Sequence, residues 1–509
     1  MKLFKFLFIA SVMAIFSCTD DSSFENPDVN ESANLTKELS SICDNIVLTP
    51  SEPLTPLFNQ VIDASDPIYN GDLLALVEDV HALGTLGGVT IYFPEGLYIV
   101  NAQPSGGPGI PRDRSELFFD GMENGLEILG DGPNSIIRLS DDPLTPPNCS
   151  PHNIFIRASS NVTIRNIAID GNRIAAPTPS DCLDSNDNIR TNRHNILISG
   201  CTNVDIRWVS STNAWGDALN FRNTEDIVVR NSLFDETFRN GISLGTGEEG
   251  IRDLRIQGNR FGSFIETQQI DFEGGDVYTD IVIRDNCFDL LDSNSPDASN
   301  QRAITLSEIR NDFEGSTSTG THARVLNNEF NQNSVLIRSS NFLNFNNNFN
   351  VGYMEIDRNS SHIEVARNTF NINLTARITS LPMAAGDNIR SGILIRLADA
   401  SDNDDDGIPD RQISNIVLQT NHIIIQEEFL RAIEVEDATA VTLRNNTIIN
   451  DSGFTEMIGI RLEARRVDTE VNIVNPGEII GFDNIIQIRE SSNPNFPVEV
   501  TCTGNGCDL

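Results

Sequence analysis

A short phrase, apolar-x-apolar-x-x-Asn-x-apolar, recurs along most of the chain. It reads VTIRNIAID at 162–170, IVVRNSLFD at 227–235, LRIQGNRFG at 254–262 and IVIRDNCFD at 281–289. RVLNNEFN at 324–331, EVARNTFN at 364–371, IVLQTNHII at 416–424 and VTLRNNTII at 441–449 continue it. A second short strand-like run precedes most copies, among them HNILIS, DALNFR, NGISLG, QIDFEG, RAITLS and RAIEVE. Asn231, Asn259 and Asn286 mark successive copies, giving steps of 28 and 27 residues where no insertion intervenes. Period-2 alternation in runs of four to six residues, separated by Asn, Asp and Gly, predicts short strands joined by sharp bends. One such coil cannot bury its inward face alone, but a stack of them can.

The pattern therefore predicts an all-β chain wound as a right-handed parallel β-helix. Asn at a fixed place in each coil tolerates a left-handed bend, and its amide can bond to the Asn above and below. Leucine-rich repeats share the length but lack this consensus, and propeller blades need four strands in a longer repeat. GGVTIYFPEGLYIV (Gly87–Val100) followed by LEILGDGPNSIIRL (Leu126–Leu139) resembles the opening coils of the pectate-lyase-like superfamily. GDLLALVEDVHALG before them has the apolar spacing of a helix covering the open end of the barrel. The resemblance spans about residues 70–500 and implies carbohydrate-active lyases, hydrolases and epimerases, or non-catalytic spikes. It specifies fold more strongly than function.

The amino terminus, MKLFKFLFIASVMAIFS, carries two lysines and an apolar run too short to span a bilayer comfortably. Because it stops at Cys18, it resembles a bacterial lipoprotein signal, which implies acylation of that cysteine and an outer-membrane lipoprotein. Residues 1–17 are then signal, 18–70 an acidic tether and extension, and 71–509 the β-helix domain. Loss of the signal takes the net charge from −38 to about −40, which excludes a general nucleic-acid binder. The only membrane contact expected is the lipid anchor, and the protein is expected to be a monomer. Cys502 and Cys507 form an expected clasp at the carboxyl end, Cys149 and Cys182 a further candidate pair, and Cys201 and Cys287 expected buried thiols.

Aligning the preceding strands on their inward residues gives three outward columns. The first carries His152, His194, Asp217, Asn240, Gln268, Arg302 and Arg431. The second carries Asn220, Ser243, Asp271, Thr305, Glu355, Glu434 and Arg461. The third carries Arg157, Arg222, Glu273, Ser307, Arg338, Asp357 and Arg396. Coils 194–357 are the candidate groove, with Glu236 and Arg239 from the adjoining loop.

Two chemistries suit it. In β-elimination from a uronic acid, a base removes the proton beside the carboxylate while cations or Ca²⁺ neutralise that carboxylate. Arg239, Arg302 or His194 would serve as base, since Lys37 is the only lysine outside the signal. A related dehydratase would expel water instead. In hydrolysis, Asp217, Asp271 and Glu273 would supply the acid and the base. The paired aspartates and His-Gly of polygalacturonases are missing, and so is the Asp-Pro-His-Asp of alginate epimerases. The arginine-rich columns tilt the expectation toward elimination on an anionic polysaccharide or oligosaccharide. Hydrolysis and a non-catalytic glycan-binding solenoid are the alternatives. Finally, DNDDDGIPD at 402–410 places Asp402, Asp404, Asp406 and Asp410 around Gly407 with the oxygen spacing of a calcium loop, implying structural Ca²⁺.

Overall fold

In a computed structural model, the structure describes residues 41–51, 53–101, 116–141, 152–173, 193–245, 250–273, 278–292, 301–309, 321–372, 391–397, 412–426, 431–489 and 496–504. The described chain is almost wholly β, and its strand pairings are parallel. It winds as a right-handed parallel β-helix with sheets of nineteen, thirteen and four strands running along the stack. In the thirteen-stranded sheet each strand pairs with the corresponding strand of the next coil, from Phe118–Asp120 to Asn484–Arg489. No helix among the described residues is long and apolar enough to cross a membrane.

The inward residues fuse into one continuous apolar core. Within it Phe234, Phe261, Phe288 and Phe330 stack on successive coils with ring centroids 5.5, 4.9 and 4.9 Å apart. The expected capping helix forms at Leu73–Gly84 and buries Leu73, Leu76, Val77 and Val80. Asp72 caps it by accepting the Leu74 and Ala75 N–H groups, two of the donors a helix start leaves without partners.

A buried column of asparagine amides ties the coils together. Asn259, Asn286, Asn328, Asn348, Asn368 and Asn421 each pass an Nδ2 hydrogen bond of 3.0–3.1 Å to the Oδ1 of the next, ending at Asn446. That Oδ1 also accepts the backbone N–H of the preceding Asn, and the other Nδ2 hydrogen bonds a carbonyl one coil back, as Asn348 does to Val325. Asn231 is not a rung of this column. It occupies the left-handed bend one residue earlier (φ 54°), which Gly258, Asp285 and Asn327 fill in later coils. Ser232 stands at the rung position and its N–H donates to Asn259 Oδ1, so the steps from Ser232 to Asn259 to Asn286 are 27 residues each. Two adjacent positions, one needing positive φ and one needing an amide, both select Asn.

Cys287 is also not a free thiol. It forms a disulfide with Cys43, 244 residues earlier, because the segment starting at Ser41 lies against the strand Cys287–Phe288. Ser41 Oγ donates to Glu329 Oε2 at 2.6 Å beside it. Cys201 is a buried free thiol, as expected. Cys502 is disulfide-bonded, while Cys507, Cys149, Cys182 and Cys18 lie outside the described residues.

Truncating one amide rung tests the column. Asn348→Ala strands the Asn328 amide, the Asn328 N–H and the Val325 carbonyl in the core, which costs at least about 3 kcal/mol of unfolding free energy. Chemical denaturation measures it, and a loss below about 1 kcal/mol would show that the amides do not hold the stack.

Candidate active-site wall

The thirteen-stranded sheet displays the three outward columns in the predicted register. Ile196, Leu219, Ile242, Ile270 and Ile304 align in successive coils. Two residues before them stand His194, Asp217, Asn240, Gln268 and Arg302, and one residue after stand Asn220, Ser243, Asp271 and Thr305. Adjacent rungs lie about 4.8 Å apart. His194, Asp217, Asp271 and Arg302 therefore share a single wall.

The floor of the site is a sealed His–Asp pair. His152 and His194 stack with ring centroids 5.1 Å apart and 4° between planes, and the His194 N–H donates to His152 Nδ1 at 3.1 Å. Burial, with the nearby His194 and Arg222, pushes His152 well below its ordinary range, so it stays neutral. His194 Nδ1 lies 3.0 Å from Asp217 Oδ2, with both side chains fully buried. The Asp217 N–H donates to that same nitrogen at 3.2 Å. The other ring nitrogen, Nε2, lies 3.5 Å from Arg222 Nη2.

Asp217 receives three further groups. Asn220 Nδ2 donates to Oδ2 at 3.0 Å, the Asn240 N–H donates to Oδ1 at 3.1 Å, and Arg239 Nε stands 3.8 Å from Oδ1. Burial opposes its ionisation, but His194, Arg239 and the Asn240 N–H outweigh burial and hold Asp217 at about 2. Asp271, one column over, goes the other way. Burial, then the charges of Glu273 and Asp217, push it up to about 7 against Arg239 and an Asn240 Nδ2 hydrogen bond of 3.3 Å. Glu273 accepts from Arg239 Nη2 at 2.6 Å and Ser243 Oγ at 2.9 Å and remains partly exposed. Two carboxyl groups on one wall are thus driven in opposite directions, one toward the ionised form and one toward the protonated form.

Five of the six expected catalytic residues, His194, Asp217, Arg239, Asp271 and Glu273, form this cluster. Arg302 turns elsewhere. Burial lowers its pKa, and its neighbours in later coils are the neutral Tyr353 phenol and the charges of Glu355, Arg338 and Asp357. There Tyr353 Oη donates to Glu355 Oε2 at 3.2 Å, and Arg396 Nη2 meets Glu355 Oε1 at 3.2 Å. Tyr353 stands two positions before Glu355, on the same face of the strand by period-2 alternation, but outside the three columns. Glu236 is exposed at a left-handed bend with φ 54°.

The arginines of the wall are largely committed. Arg157 pairs with Asp120, Arg239 with Glu273, Arg338 with Asp357, and Arg461 with Glu463. Arg222 is placed differently, donating to Asn220 Oδ1 at 3.1 Å beside His194. The same occupancy bears on calcium in the groove. The Asp217 and Glu273 oxygens already accept N–H and guanidinium donors, so these two side chains offer Ca²⁺ little free coordination. Glu434, Glu436 and Glu463 lie close enough together for a cation, but Arg431, Arg461 and Arg465 already neutralise them. Asp402, Asp404, Asp406 and Asp410 lie outside the described residues.

No family model matches the chain, and no curated protein matches it in sequence. Among solved structures it is similar to the A-module of the Azotobacter vinelandii mannuronan C-5 epimerase AlgE4. The identity is 14%, the TM-score 0.53, and the match covers 91% of this chain and 100% of that one. The A-module of AlgE6 from the same organism gives 15%, 0.50, 91% and 99%. At this identity the likeness establishes the fold, the right-handed parallel β-helix.

Asp271 makes the wall sensitive to pH. Its folded pKa of about 7 lies above the ordinary value of 3.8, so its contribution to stability is complete below about pH 4 and is lost as pH rises through 7. Asp271→Asn keeps the shape of the protonated acid and removes that part of the slope. Unfolding free energies from pH 4 to 8 measure it, and an unchanged slope in the variant would place the Asp271 carboxyl among ordinary ionised groups.

Proposed function

We propose that the protein is a carbohydrate-active enzyme that cleaves an anionic, uronic-acid-containing polysaccharide laid along the wall. The observation that carries this is the split between Asp217, held at about 2, and Asp271, raised to about 7, two rungs apart on one sheet. Asp271 serves as proton donor to the departing glycosidic oxygen, and Glu273 is the carboxylate across from it. The buried His194–Asp217 pair positions Arg222, which faces the polymer's carboxylates, while Arg239 stays paired with Glu273. Hydrolysis is favoured over elimination, since the surface groups of the cluster are carboxyls and most arginines are already paired.

Elimination has one specific support, the lowered pKa of Arg302, the direction a guanidine base requires. Arg239 moves the opposite way, raised first by the charge of Asp217, and His194 is sealed. In that reaction Arg302 takes the proton beside the uronate carboxylate, the bond to the leaving oxygen breaks, and a carbon–carbon double bond forms. We further propose export and a lipid anchor at Cys18, and structural Ca²⁺ at 402–410.

Incubation with polygalacturonate and with alginate, following reducing ends and unsaturated-uronate absorbance together, separates the two reactions. New ends without absorbance are expected, and absorbance rising with the ends would favour elimination through Arg302. Asp271→Asn is expected to lower kcat by about 10²–10⁴-fold with an unchanged fold, and wild-type kcat/KM should fall as pH rises past about 7. Full activity in Asp271→Asn would remove Asp271 from the chemistry. Binding of polymer without turnover would favour a glycan-binding solenoid.

A further inference from the structure

The two aspartates of the wall meet at one residue between them. Asn240 stands one coil after Asp217, in the same outward column, and one coil before Asp271. It is 1% exposed, and its polar groups are all engaged. Its N–H donates to Asp217 Oδ1 at 3.1 Å, and its carbonyl accepts the Ala218 N–H at 3.0 Å. On the side chain, Oδ1 accepts the Thr267 hydroxyl at 2.6 Å and the Gln268 N–H at 3.2 Å, while Nδ2 donates to Asp271 Oδ2 at 3.3 Å.

These contacts fix which way the amide points. A backbone N–H only donates, so the atom facing Gln268 is the oxygen and the atom facing Asp271 is the NH₂ group. An NH₂ group likewise only donates, so Asp271 Oδ2 must accept. When Asp271 carries a proton, the accepting oxygen is the carbonyl-like one and the proton resides on Oδ1. Asp271 makes no other hydrogen bond among the described residues, and it is half-buried rather than sealed. Oδ1 is therefore the atom able to give a proton to a bound substrate.

We infer that Asn240 is a positioning residue for the acid of this wall: its amide occupies one Asp271 oxygen and leaves the proton on the other, while its backbone N–H holds the Asp217 carboxylate. The inference rests on the reading of Asp271 as proton donor. The same contact acts on acidity. Burial, then the charges of Glu273 on its own strand and Asp217 two coils back, raise Asp271, whereas Arg239 and the Asn240 amide oppose them. The adjoining strands set Ser243 and Thr305, both uncharged, beside it. Without the amide donor, Asp271 holds its proton to higher pH.

Asn240→Asp keeps the shape and the oxygen that Thr267 and Gln268 hold, but replaces the donor facing Asp271 with a second carboxyl oxygen. The pH at which Asp271 titrates is read without substrate, from unfolding free energies with and without the Asp271→Asn substitution. In Asn240→Asp it is expected to rise by about one pH unit or more, and the alkaline limb of kcat/KM on the cleaved uronate polymer is expected to move with it. Thr267→Val removes the hydroxyl that holds Asn240 Oδ1 and keeps the test open if Asn240→Asp fails to fold. It is expected to lower kcat about three- to tenfold at unchanged KM. An unmoved titration in Asn240→Asp would overturn the positioning role, as would wild-type kcat in Thr267→Val. A raised titration together with full activity in Asp271→Asn would support the Asn240 contact and overturn the reading of Asp271 as donor, so the two fail separately.

Discussion

The structure depends on hydrogen bonds that run along the stack. Each coil satisfies its backbone in the coil above and below, and the buried Asn259–Asn446 column repeats that bond once per turn through side chains. An amide with two donors and two acceptor lone pairs can serve a neighbour on each side and a carbonyl besides. A buried amide left unpaired would cost more than the paired one contributes, so the column fixes register as well as adding stability. Fixed register is what the wall needs. A slip of one residue would send His194, Asp217 and Asp271 into the core.

Given that register, the chemistry of the wall follows from who stands above whom. Asp217 has a histidine one rung below it and receives an Arg239 contact, an Asn220 amide and a backbone N–H, so its charge is retained despite complete burial. Asp271 has the carboxylates of Glu273 and Asp217 for neighbours and one long amide bond, so its charge is suppressed. The two aspartates differ in neighbours far more than in burial. Farther along, Arg338–Asp357, Arg396–Glu355 and Arg461–Glu463 cancel in pairs, so a chain of net charge −38 presents a nearly balanced face there. Arg338–Asp357 and Arg396–Glu355 are partly exposed and contribute little stability, Arg461–Glu463 is buried, and all three keep the face from repelling an acidic polymer.

Much of this was legible in the sequence. Period-2 alternation names inward and outward residues, and the repeat names vertical neighbours, so the three columns follow from the chain alone. What escaped were facts that depend on side-chain reach or on segments outside the repeat. Arg302 shares a column with Asp217, yet its charged neighbours are Glu355, Arg338 and Asp357 of later coils, because a long flexible side chain can turn along the stack. Cys43 lies outside every repeat, so nothing in the spacing links it to Cys287. Asn231 and Asn259 look equivalent until the bend and the amide rung are seen to be adjacent positions.

A crystal structure of the Asp271→Asn variant soaked with an oligouronate tests the account at its centre. The account predicts sugar rings running along the thirteen-stranded sheet, with a glycosidic oxygen within hydrogen-bond distance of the residue 271 side chain. It also predicts a uronate carboxylate facing Arg222. An oligouronate lodged on another face, or one whose reactive bond sits over Arg302 and Tyr353 with residue 271 out of reach, would contradict it.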